Sequence, residues 1–128
     1  MEELISKTPG DGAVAGIGLV NSSLLPEDKA RCLIIGYDYT ILAGTQGYFG
    51  HKKKDSMLRL ADGQRLPVVL FPERGGSRPG DVDADGGAAR FDLSTFALFA
   101  KLSGKIPLVG LVSGRCLQTT RFCWDIVT

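Results

Sequence analysis

Apolar residues along the chain fall into four runs that predict β-strands. Residues 13 to 20 (AVAGIGLV) and 32 to 42 (CLIIGYDYTIL) are rich in strand-forming residues, and the polar segment between them predicts a hairpin-like connection. Residues 66 to 71 (LPVVLF) and 106 to 114 (IPLVGLVSG) are two further apolar runs, each associated with glycines at its end. The third run is apolar nearly throughout, which is typical of a strand covered on both faces in a parallel sheet.

Two segments between these runs have the apolar spacing of amphipathic helices. Residues 51 to 64 place Met57, Leu58, Leu60 and Ala61 at helical spacing, and residues 91 to 104 do the same with Phe91, Phe96, Phe99 and Leu102. The predicted order is therefore β, β, α, β, α, β, an α/β fold with a mostly parallel sheet. Right-handed crossovers would then place the loops at 72 to 81 and from 113 onward at the carboxyl edge of the sheet, where ligands usually bind.

Composition narrows the class of protein. The chain has 128 residues, enough for one domain with a real core, and its 15 basic and 14 acidic residues give a net charge of +1. No overall field marks it for nucleic acid or an anionic membrane surface. No segment resembles a signal peptide or a spanning helix, and three cysteines without paired spacing predict reduced thiols. We expect a soluble cytoplasmic protein.

The third strand leads into a glycine pair, Gly75 and Gly76, between Arg74 and Arg78. Glycine lets a ligand oxygen approach the backbone, and two amides that turn toward one point can hold a developing oxyanion. For a thioester substrate that oxyanion is an enolate, and removing one such donor costs about 2.7 to 4 kcal/mol of transition-state stabilisation. The residues alone leave a second interpretation open, a tight surface turn with no catalytic role.

Three consecutive lysines, Lys52, Lys53 and Lys54, stand at the predicted start of the first helix, where they oppose its macrodipole. The phosphates of a CoA-like ligand would justify them, and a solvated helix face is the alternative. The preceding His51 is the single histidine, and with no serine or carboxylate motif tied to it a structural or surface role is favoured over general-base catalysis.

Other candidate motifs are weaker. No phosphate-binding P-loop is present, and residues 16 to 21 (GIGLVN) lack the third glycine of a dinucleotide fingerprint. Residues 81 to 87 (DVDADGG) imitate a calcium loop but have Asp92 where the twelfth-position glutamate belongs, so we interpret them as a solvated loop. Cys116 has no nearby histidine and is interpreted as an ordinary small residue. No metal site is predicted.

Four ordered stretches carry a resemblance to a known family: PGDGAVAGIGLVN, YDYTILAGTQGYFGHKKKDSMLRLA, LPVVLFPERGGSRPGD and FALFAKLSGKIPLVGLVSGRC. Together they resemble the carboxyltransferase component of biotin-dependent acyl-CoA carboxylases, and most closely the propionyl- and acetyl-CoA carboxylase enzymes. The resemblance covers residues 9 to 116. It implies a crotonase-like fold in which the N-terminal half binds acyl-CoA and a C-terminal half from another subunit binds carboxybiotin.

The resemblance also implies roles for particular residues. Gly75 and Gly76 match the glycine pair whose amides stabilise the enolate oxyanion, while Arg74 and Ser77 stand where close relatives commonly have glycine. The expected acyl-CoA site then comprises the turn before the lysine-bearing helix, those lysines and the arginine after the pair: Gly44, Thr45, Gln46, Gly47, Lys52, Lys53, Lys54 and Arg78.

The implied reaction moves CO₂ from carboxybiotin to the α-carbon of acetyl- or propionyl-CoA, in fatty acid metabolism. Biotin would arrive on a separate carrier domain, because no biotinyl-lysine motif is present. The implied partners are a biotin carboxyl carrier, a biotin carboxylase, the complementary C-terminal half and further copies of the chain. Two alternatives stay open: an inactive truncated remnant that binds CoA or carboxylase subunits, and a crotonase-like hydrolase or decarboxylase of CoA thioesters.

The ends of the chain depart from the family pattern. We expect residues 1 to 128 to be part of a carboxyltransferase N-terminal domain, with a divergent tail at 117 to 128 (LQTTRFCWDIVT). Under one choice of codons, a frame shifted within the Cys116 codon reads Phe-Ala-Asp-Asn-Ala-Val-Leu-Leu-Gly, which the family would have there. A lost base would explain the tail, and the DNA sequence tests this.

Overall fold

The structure is a computed structural model that describes residues 9–73, 75–76 and 94–114. It contains four strands and three helices, joined in part by 3₁₀ turns at Pro9–Gly12 and Leu42–Gly44. In chain order the elements are β1 (Ala13–Leu19), α1 (Glu27–Ala30), β2 (Arg31–Tyr37), α2 (Tyr48–Gln64), β3 (Val68–Leu70), α3 (Thr95–Leu102) and β4 (Leu108–Gly110). Apart from the short α1, this is the predicted order.

The four strands form one sheet in the order β1-β2-β3-β4. β1 and β2 are antiparallel, with Val14 opposite Gly36, whereas β2, β3 and β4 are parallel, with Val68 paired to Leu33 on one side and to Leu108 on the other. The prediction of a mostly parallel α/β sheet is confirmed. The carboxyl ends of the three parallel strands consequently meet at one edge.

β2 ends earlier than the sequence pattern predicted. The alternating residues continue to position 42, but the strand stops at Tyr37. Asp38 turns the chain there, because its Oδ1 accepts hydrogen bonds from the backbone nitrogen of Thr40 at 2.9 Å and from the Thr40 hydroxyl at 2.5 Å. An aspartate that bonds the backbone two residues ahead competes with strand pairing.

Helix α2 begins at Tyr48, three residues before its predicted start. No side chain caps it at Gly47, the residue before the first turn. Instead Asp11 supplies the negative charge that a helix N-terminus favours, since its Oδ2 accepts a hydrogen bond from the Gly50 amide at 2.8 Å. The lysines at 52 to 54 therefore lie in the second turn, and the expectation that they stand at the helix start is wrong.

Helices α2 and α3 cover one face of the sheet and form the core with it. This covered face includes Leu33 and Ile35 of β2, Val68 and Leu70 of β3, Leu58 and Ala61 of α2, and Leu98, Phe99 and Leu102 of α3. Both helices belong to crossovers that move one strand further in the same direction, and right-handed crossovers of that kind place their helices on the same side. The main apolar cluster therefore lies on this side of the described sheet, while Cys32, which alternates with Leu33, is buried on the other side at 4% exposure.

A buried carboxylate joins the two helices. Asp55 of α2 is 1% exposed, and its Oδ2 accepts a hydrogen bond from the backbone nitrogen of Ser94 at 2.9 Å. Its Oδ1 accepts another from the Thr95 hydroxyl, so it satisfies donors at the start of α3. At the other end of the pair, Lys101 bonds Asp62 at 2.5 Å, which lowers the pKa of Asp62.

The opposite face of the sheet is open within the described residues. Side chains that alternate with the core positions point to it, and Val14, Phe71 and Val109 are 62%, 38% and 44% exposed. The prediction that the third strand is covered on both faces does not hold for the described part of the chain. The apolar sequence of this strand shows that both faces of β3 are apolar, but it does not show that both faces are covered.

Candidate active-site loop

The glycine pair lies where the sequence placed it, directly after the central parallel strand β3. The chain leaves β3 through Pro72 and Glu73 and reaches Gly75 and Gly76 at the carboxyl edge of the sheet. β3 has a parallel neighbour on each side, so its end is at the middle of that edge. Ligands of open α/β sheets usually bind at such an edge.

Each glycine is required for a different physical reason. A Cβ on Gly75 would overlap the carbonyl oxygen of Ala43 and would lie 3.1 Å from Cγ2 of Thr45, so the backbone can pass there only as glycine. Gly76 has open space around it but adopts a φ of 99°, which strains any residue with a side chain. The pair thus combines a close backbone approach with an unusual dihedral angle.

The segment that Gly75 approaches is itself strained. Leu42 and Ala43 both have left-handed backbone, with φ of 47° and 54°, a conformation that costs a residue with a side chain about 1 to 2 kcal/mol. Local hydrogen bonds hold the turn, from the Gly44 amide to the Ile41 carbonyl at 2.9 Å and from the Thr45 hydroxyl to the Leu42 carbonyl at 2.8 Å. Strain that the surrounding structure maintains is typical of functional sites.

Gln46 connects this turn to the glycine pair and to the interior. Its backbone nitrogen donates to the Gly76 carbonyl at 2.9 Å, and its side chain, which is 4% exposed, accepts a hydrogen bond from Lys54 Nζ at 2.9 Å. The Lys54 ammonium also donates to the Tyr37 hydroxyl at 3.0 Å. Among the described residues, Gln46 Nε2 is a buried donor with no acceptor. The predicted 44 to 47 turn and the glycine pair are thus adjacent.

The two glycine amides have no hydrogen-bond acceptor among the described residues, although Gly76 is buried and Gly75 is half-buried. The Gly76 carbonyl, in contrast, is already engaged by Gln46. Buried backbone donors are normally paired, so the acceptor of these amides lies outside the described residues.

The three lysines have different surroundings. Lys54 is 5% exposed and points inward to Gln46 and Tyr37. Lys53 is exposed and donates to the Ala13 carbonyl at 2.6 Å, and Lys52 lies 5.3 Å from the centre of the Tyr48 ring. The sequence predicted the same role for all three, but only Lys52 and Lys53 have ammonium groups outside the buried network.

His51 has a structural neighbour. Its Nδ1 lies 3.3 Å from the Thr95 hydroxyl oxygen, the same hydroxyl that donates to Asp55. This arrangement links the histidine to the contact between α2 and α3, as the favoured structural role implies. Several residues that the sequence singled out lie outside the described residues: Arg74, Ser77, Arg78, the acidic loop at 81 to 87, Cys116 and the tail.

Glu73 is a residue of the edge that the sequence did not single out. Its Oε1 accepts hydrogen bonds from the Ser113 amide at 2.5 Å, the Ser113 hydroxyl at 2.6 Å and the Gly114 amide at 3.0 Å. These bonds, led by that of the Ser113 hydroxyl, lower the pKa of Glu73. They tie the loop after β3 to the turn after β4, a contact between positions 40 residues apart for which the sequence has no local signal.

The sequence also led to expectations about membrane helices, metal sites and cysteines. No helix in the described part is long and apolar enough to cross a membrane. Within residues 9–73, 75–76 and 94–114, no cluster of three or more His, Cys, Asp or Glu side chains could hold a metal ion. Cys32 is buried and unpaired, and its burial raises the pKa of the thiol.

Solved structures of other proteins match the fold of this chain. A single-chain, multi-domain long-chain acyl-CoA carboxylase matches 99% of the chain at 46% identity with a TM-score of 0.88. The geranyl-CoA carboxylase β subunit of P. aeruginosa matches 77% at 31% identity with a TM-score of 0.57. The transcarboxylase 12S core matches 94% at 21% identity with a TM-score of 0.74, which supports the fold alone. No protein-family model and no curated protein sequence matched.

The mixed sheet with both helices on one side is a crotonase-like fold. Within that fold, the chain is similar to parts of acyl-CoA carboxylases, at 46% and 31% identity. It spans 12% of the long-chain acyl-CoA carboxylase chain, 18% of the geranyl-CoA carboxylase β subunit and 22% of the transcarboxylase chain.

Proposed function

We propose that the chain is the acyl-CoA-binding part of a carboxyltransferase that moves CO₂ from carboxybiotin to the α-carbon of an acyl-CoA. In this proposal the amides of Gly75 and Gly76 hold the thioester oxygen of the substrate. The similarity to acyl-CoA carboxylases at 46% and 31% identity supports the class of reaction. Acetyl- or propionyl-CoA is the proposed substrate.

One observation carries the assignment of the site. At the middle of the carboxyl edge, two successive residues must be glycine, and neither of their amides has an acceptor among the described residues. A surface turn would explain the φ of Gly76, but it would not explain why Gly75 approaches the Ala43 carbonyl of a strained neighbouring turn. Pre-positioned amides beside a rigid turn are what stabilisation of an oxyanion requires.

The chemical role of these amides follows from the reaction. Removal of a proton from the α-carbon of the thioester leaves an electron pair that delocalises onto the carbonyl oxygen as an enolate. Two fixed donors lower the energy of that oxyanion more than that of the neutral carbonyl, so they lower the barrier to proton removal. The enolate carbon then forms the new bond to CO₂. Carboxybiotin, delivered on a separate carrier domain, would supply the CO₂ by cleavage of its N–C bond, and the nitrogen left with that electron pair would take the α-proton. No residue of this chain is assigned to carboxybiotin.

The proposed CoA site lies beside the glycine pair. The turn formed by Gly44, Thr45, Gln46 and Gly47 packs against Gly76 through the Gln46 amide, and its buried Nε2 donor is oriented by the bond that Lys54 makes to Oε1. Lys52 and Lys53 are the proposed phosphate contacts, together with Arg78. For Lys54 we propose support of Gln46 in place of a phosphate contact, because its ammonium is buried.

The proposed setting is that of the related enzymes. The chain would act with a biotin carboxyl carrier, a biotin carboxylase and the complementary carboxyltransferase half, in an oligomer in the cytoplasm. In this proposal residues 1 to 128 are one partial N-terminal domain with a divergent tail from 117.

A carboxylation assay tests the proposal. The full chain is combined with the complementary carboxyltransferase half, ¹⁴C-labelled carboxybiotin and acetyl- or propionyl-CoA, and label in the carboxylated CoA product is counted. We expect transfer that Gly75→Ala reduces by about 100-fold or more, the usual effect of disabling one oxyanion donor. Gly63→Ala is the matched control, because Gly63 lies in α2 with open space around it.

The outcomes separate the proposal from its alternatives. Acyl-CoA binding without transfer, in the presence of the complementary half, would identify a catalytically inactive remnant. Conversion of malonyl-CoA to acetyl-CoA and CO₂ without biotin would identify a decarboxylase, and release of free CoA would identify a hydrolase. Transfer that Gly75→Ala and Gly76→Ala leave unchanged would refute the role of the glycine amides.

A further inference from the structure

Three loops meet at the carboxyl edge of the sheet, and hydrogen bonds join them in the order of their strands. The turn after β2 contacts the loop after β3 through the Gln46 amide, which donates to the Gly76 carbonyl at 2.9 Å. The loop after β3 contacts the turn after β4 through Glu73. The loop that carries the glycine pair is therefore held from both sides, and Glu73 holds it on the side of β4.

Glu73 accepts three hydrogen bonds on one oxygen. The Ser113 amide at 2.5 Å, the Ser113 hydroxyl at 2.6 Å and the Gly114 amide at 3.0 Å all donate to Oε1. Cγ of Glu73 lies 3.6 Å from where a Cβ on Gly114 would be, so the side chain lies against the turn along its length. Hydrogen bonds to an ionised acceptor are stronger than neutral ones, so this contact restricts both the side chain and the loop that bears it.

The loop after β3 has little freedom to move independently of Glu73. Pro72, directly before it, is fully buried and fixes the start of the loop. Gly75, two residues further on, approaches the Ala43 carbonyl so closely that a Cβ would overlap it. Because the chain is anchored at Pro72, a displacement of Glu73 is transmitted forward, to the glycine pair.

We propose that Glu73 is a positioning residue for the carboxyl transfer, an inference that rests on the function proposed above. By holding the turn after β4 against the loop after β3, it keeps the Gly75 and Gly76 amides directed at the substrate oxygen. Oxyanion donors are effective only when they are already in place, and a displacement of about 1 Å can reduce the rate about 100-fold. Glu73 itself contacts no substrate atom in this proposal.

The competing role for a carboxylate at this edge is direct removal of the α-proton as a general base. An efficient general base has a pKa near the working pH, which for a glutamate requires a raised value. The pKa of Glu73 is instead lowered, first by the hydrogen bond from the Ser113 side chain and then by the bond from the Ser113 amide. Its contacts therefore favour a role in holding the loop over a role in proton transfer.

The test measures kcat and KM for acyl-CoA in the carboxylation assay, with the full chain and the complementary half, below the melting temperature of every variant. We expect Glu73→Ala to lower kcat by about tenfold or more and to change KM by less than about twofold, because misplaced amides lose more in the transition state than in the ground state. Glu73→Gln should recover most of the loss, because its amide oxygen reaches the same donors. Glu73→Asp should not, because its side chain is one methylene shorter.

Asp62→Ala is the matched control. Asp62 is also a carboxylate with a lowered pKa and a hydrogen bond, to Lys101 at 2.5 Å, but it lies in the last turn of α2, shortly before the amino end of β3. Its removal should leave kcat unchanged. Ser113→Ala should lower kcat less than Glu73→Ala does, and the double variant should lose no more than Glu73→Ala alone, because both changes break the same contact.

A second readout needs no catalysis. ¹H–¹⁵N spectra of the glycine-labelled chain are recorded without ligand for wild type and each variant. We expect Glu73→Ala to move the amide resonances of Gly75 and Gly76, and we expect Glu73→Gln to move them clearly less. The resonance of Gly63, inside α2, should stay in place in both variants.

Several results would overturn the inference. It fails if Glu73→Ala keeps the wild-type kcat, if it changes KM alone, or if it leaves both glycine resonances unmoved. Activity that Glu73→Asp retains and Glu73→Gln loses would assign Glu73 to proton transfer instead. If the wild-type protein transfers no CO₂, the function proposed above fails, and the glycine resonances then decide whether Glu73 orders the pair.

Discussion

The covered face of the sheet and its carboxyl edge differ in what explains their residues. On the covered face, buried side chains such as Leu58 and Phe99, at 0% and 1% exposure, pack against other apolar side chains of the chain, so packing alone accounts for them. Among the described residues of the carboxyl edge, packing leaves much unexplained: left-handed Ala43, the close approach at Gly75, unpaired glycine amides and the unpaired Nε2 of Gln46. Features that lower stability without a packing benefit are those expected of a binding site.

The largest effect is expected on the covered face. Phe99→Ala should lower the free energy of unfolding by about 3 to 5 kcal/mol, because it leaves a cavity in the core. Val109→Ala, on the open face, should lower it by less than about 1 kcal/mol. Urea denaturation followed by circular dichroism measures both. Equal effects of the two changes would contradict the assignment of the core to one side of the sheet.

The second largest loss of stability is expected at Asp55, the buried carboxylate between helices α2 and α3. Asp55→Ala removes the acceptor for the Ser94 amide and the Thr95 hydroxyl, and we expect a loss of about 1 to 3 kcal/mol. Hydrogen exchange should show the first turn of α3 opening more readily, while protection of β2 stays as in wild type. Asp62→Ala, at the exposed ion pair with Lys101, is the control and should destabilise the protein clearly less, because solvent screens that pair.

A substitution at the carboxyl edge should lower the free energy of unfolding less than Phe99→Ala does. It should weaken ligand binding more than Phe99→Ala does. Gly76→Ala forces alanine into a φ of 99°, which should cost about 1 to 3 kcal/mol, and it should reduce acyl-CoA affinity measured by calorimetry. Gly63→Ala, inside α2, should instead raise stability by about 0.5 to 1 kcal/mol. A Gly76→Ala protein that binds acyl-CoA as tightly as wild type would show that the edge conformation is not needed for the ligand.

The smallest effect is a pH dependence at the edge. The folded protein lowers the pKa of Glu73, so its favourable contribution is fully present above the ordinary glutamate value of 4.5 and is lost as the pH falls through the lower, folded value. The melting temperature of wild type should therefore exceed that of Glu73→Gln at pH 7, and the difference should shrink below pH 4.5. A difference that grows on acidification would contradict the Glu73 contacts with Ser113 and Gly114.

The order of elements was predictable because hydrophobic periodicity is local. The four strands and two long helices appear where the apolar runs are, and the glycine pair follows β3 as predicted. Boundaries were less predictable where one polar residue decides them. Asp38 ends β2 through its own bonds to Thr40, and Asp11 allows α2 to start at Tyr48 through a contact between residues 39 apart.

The site was only partly predictable, because several of its contacts join residues that are far apart in the sequence. The resemblance predicted that the turn at 44 to 47 and the glycine pair both serve the acyl-CoA substrate, and the structure places them in contact. The inward position of Lys54 depends on Tyr37, which lies 17 residues away, and the Glu73 contacts span 40 residues. The open face could not be predicted, because an apolar strand has the same sequence whether its second face is covered by its own helices or by another polypeptide.

The central claim is that the amides of Gly75 and Gly76 bind the oxygen of a CoA thioester. ¹H–¹⁵N NMR of the glycine-labelled chain, titrated with acetyl-CoA or propionyl-CoA, measures this at the two atoms concerned. We expect both amide protons to shift downfield and to saturate together, and we expect CoA without an acyl group to leave them unshifted. Saturable acyl-CoA binding that leaves both amide resonances in place would contradict the claim.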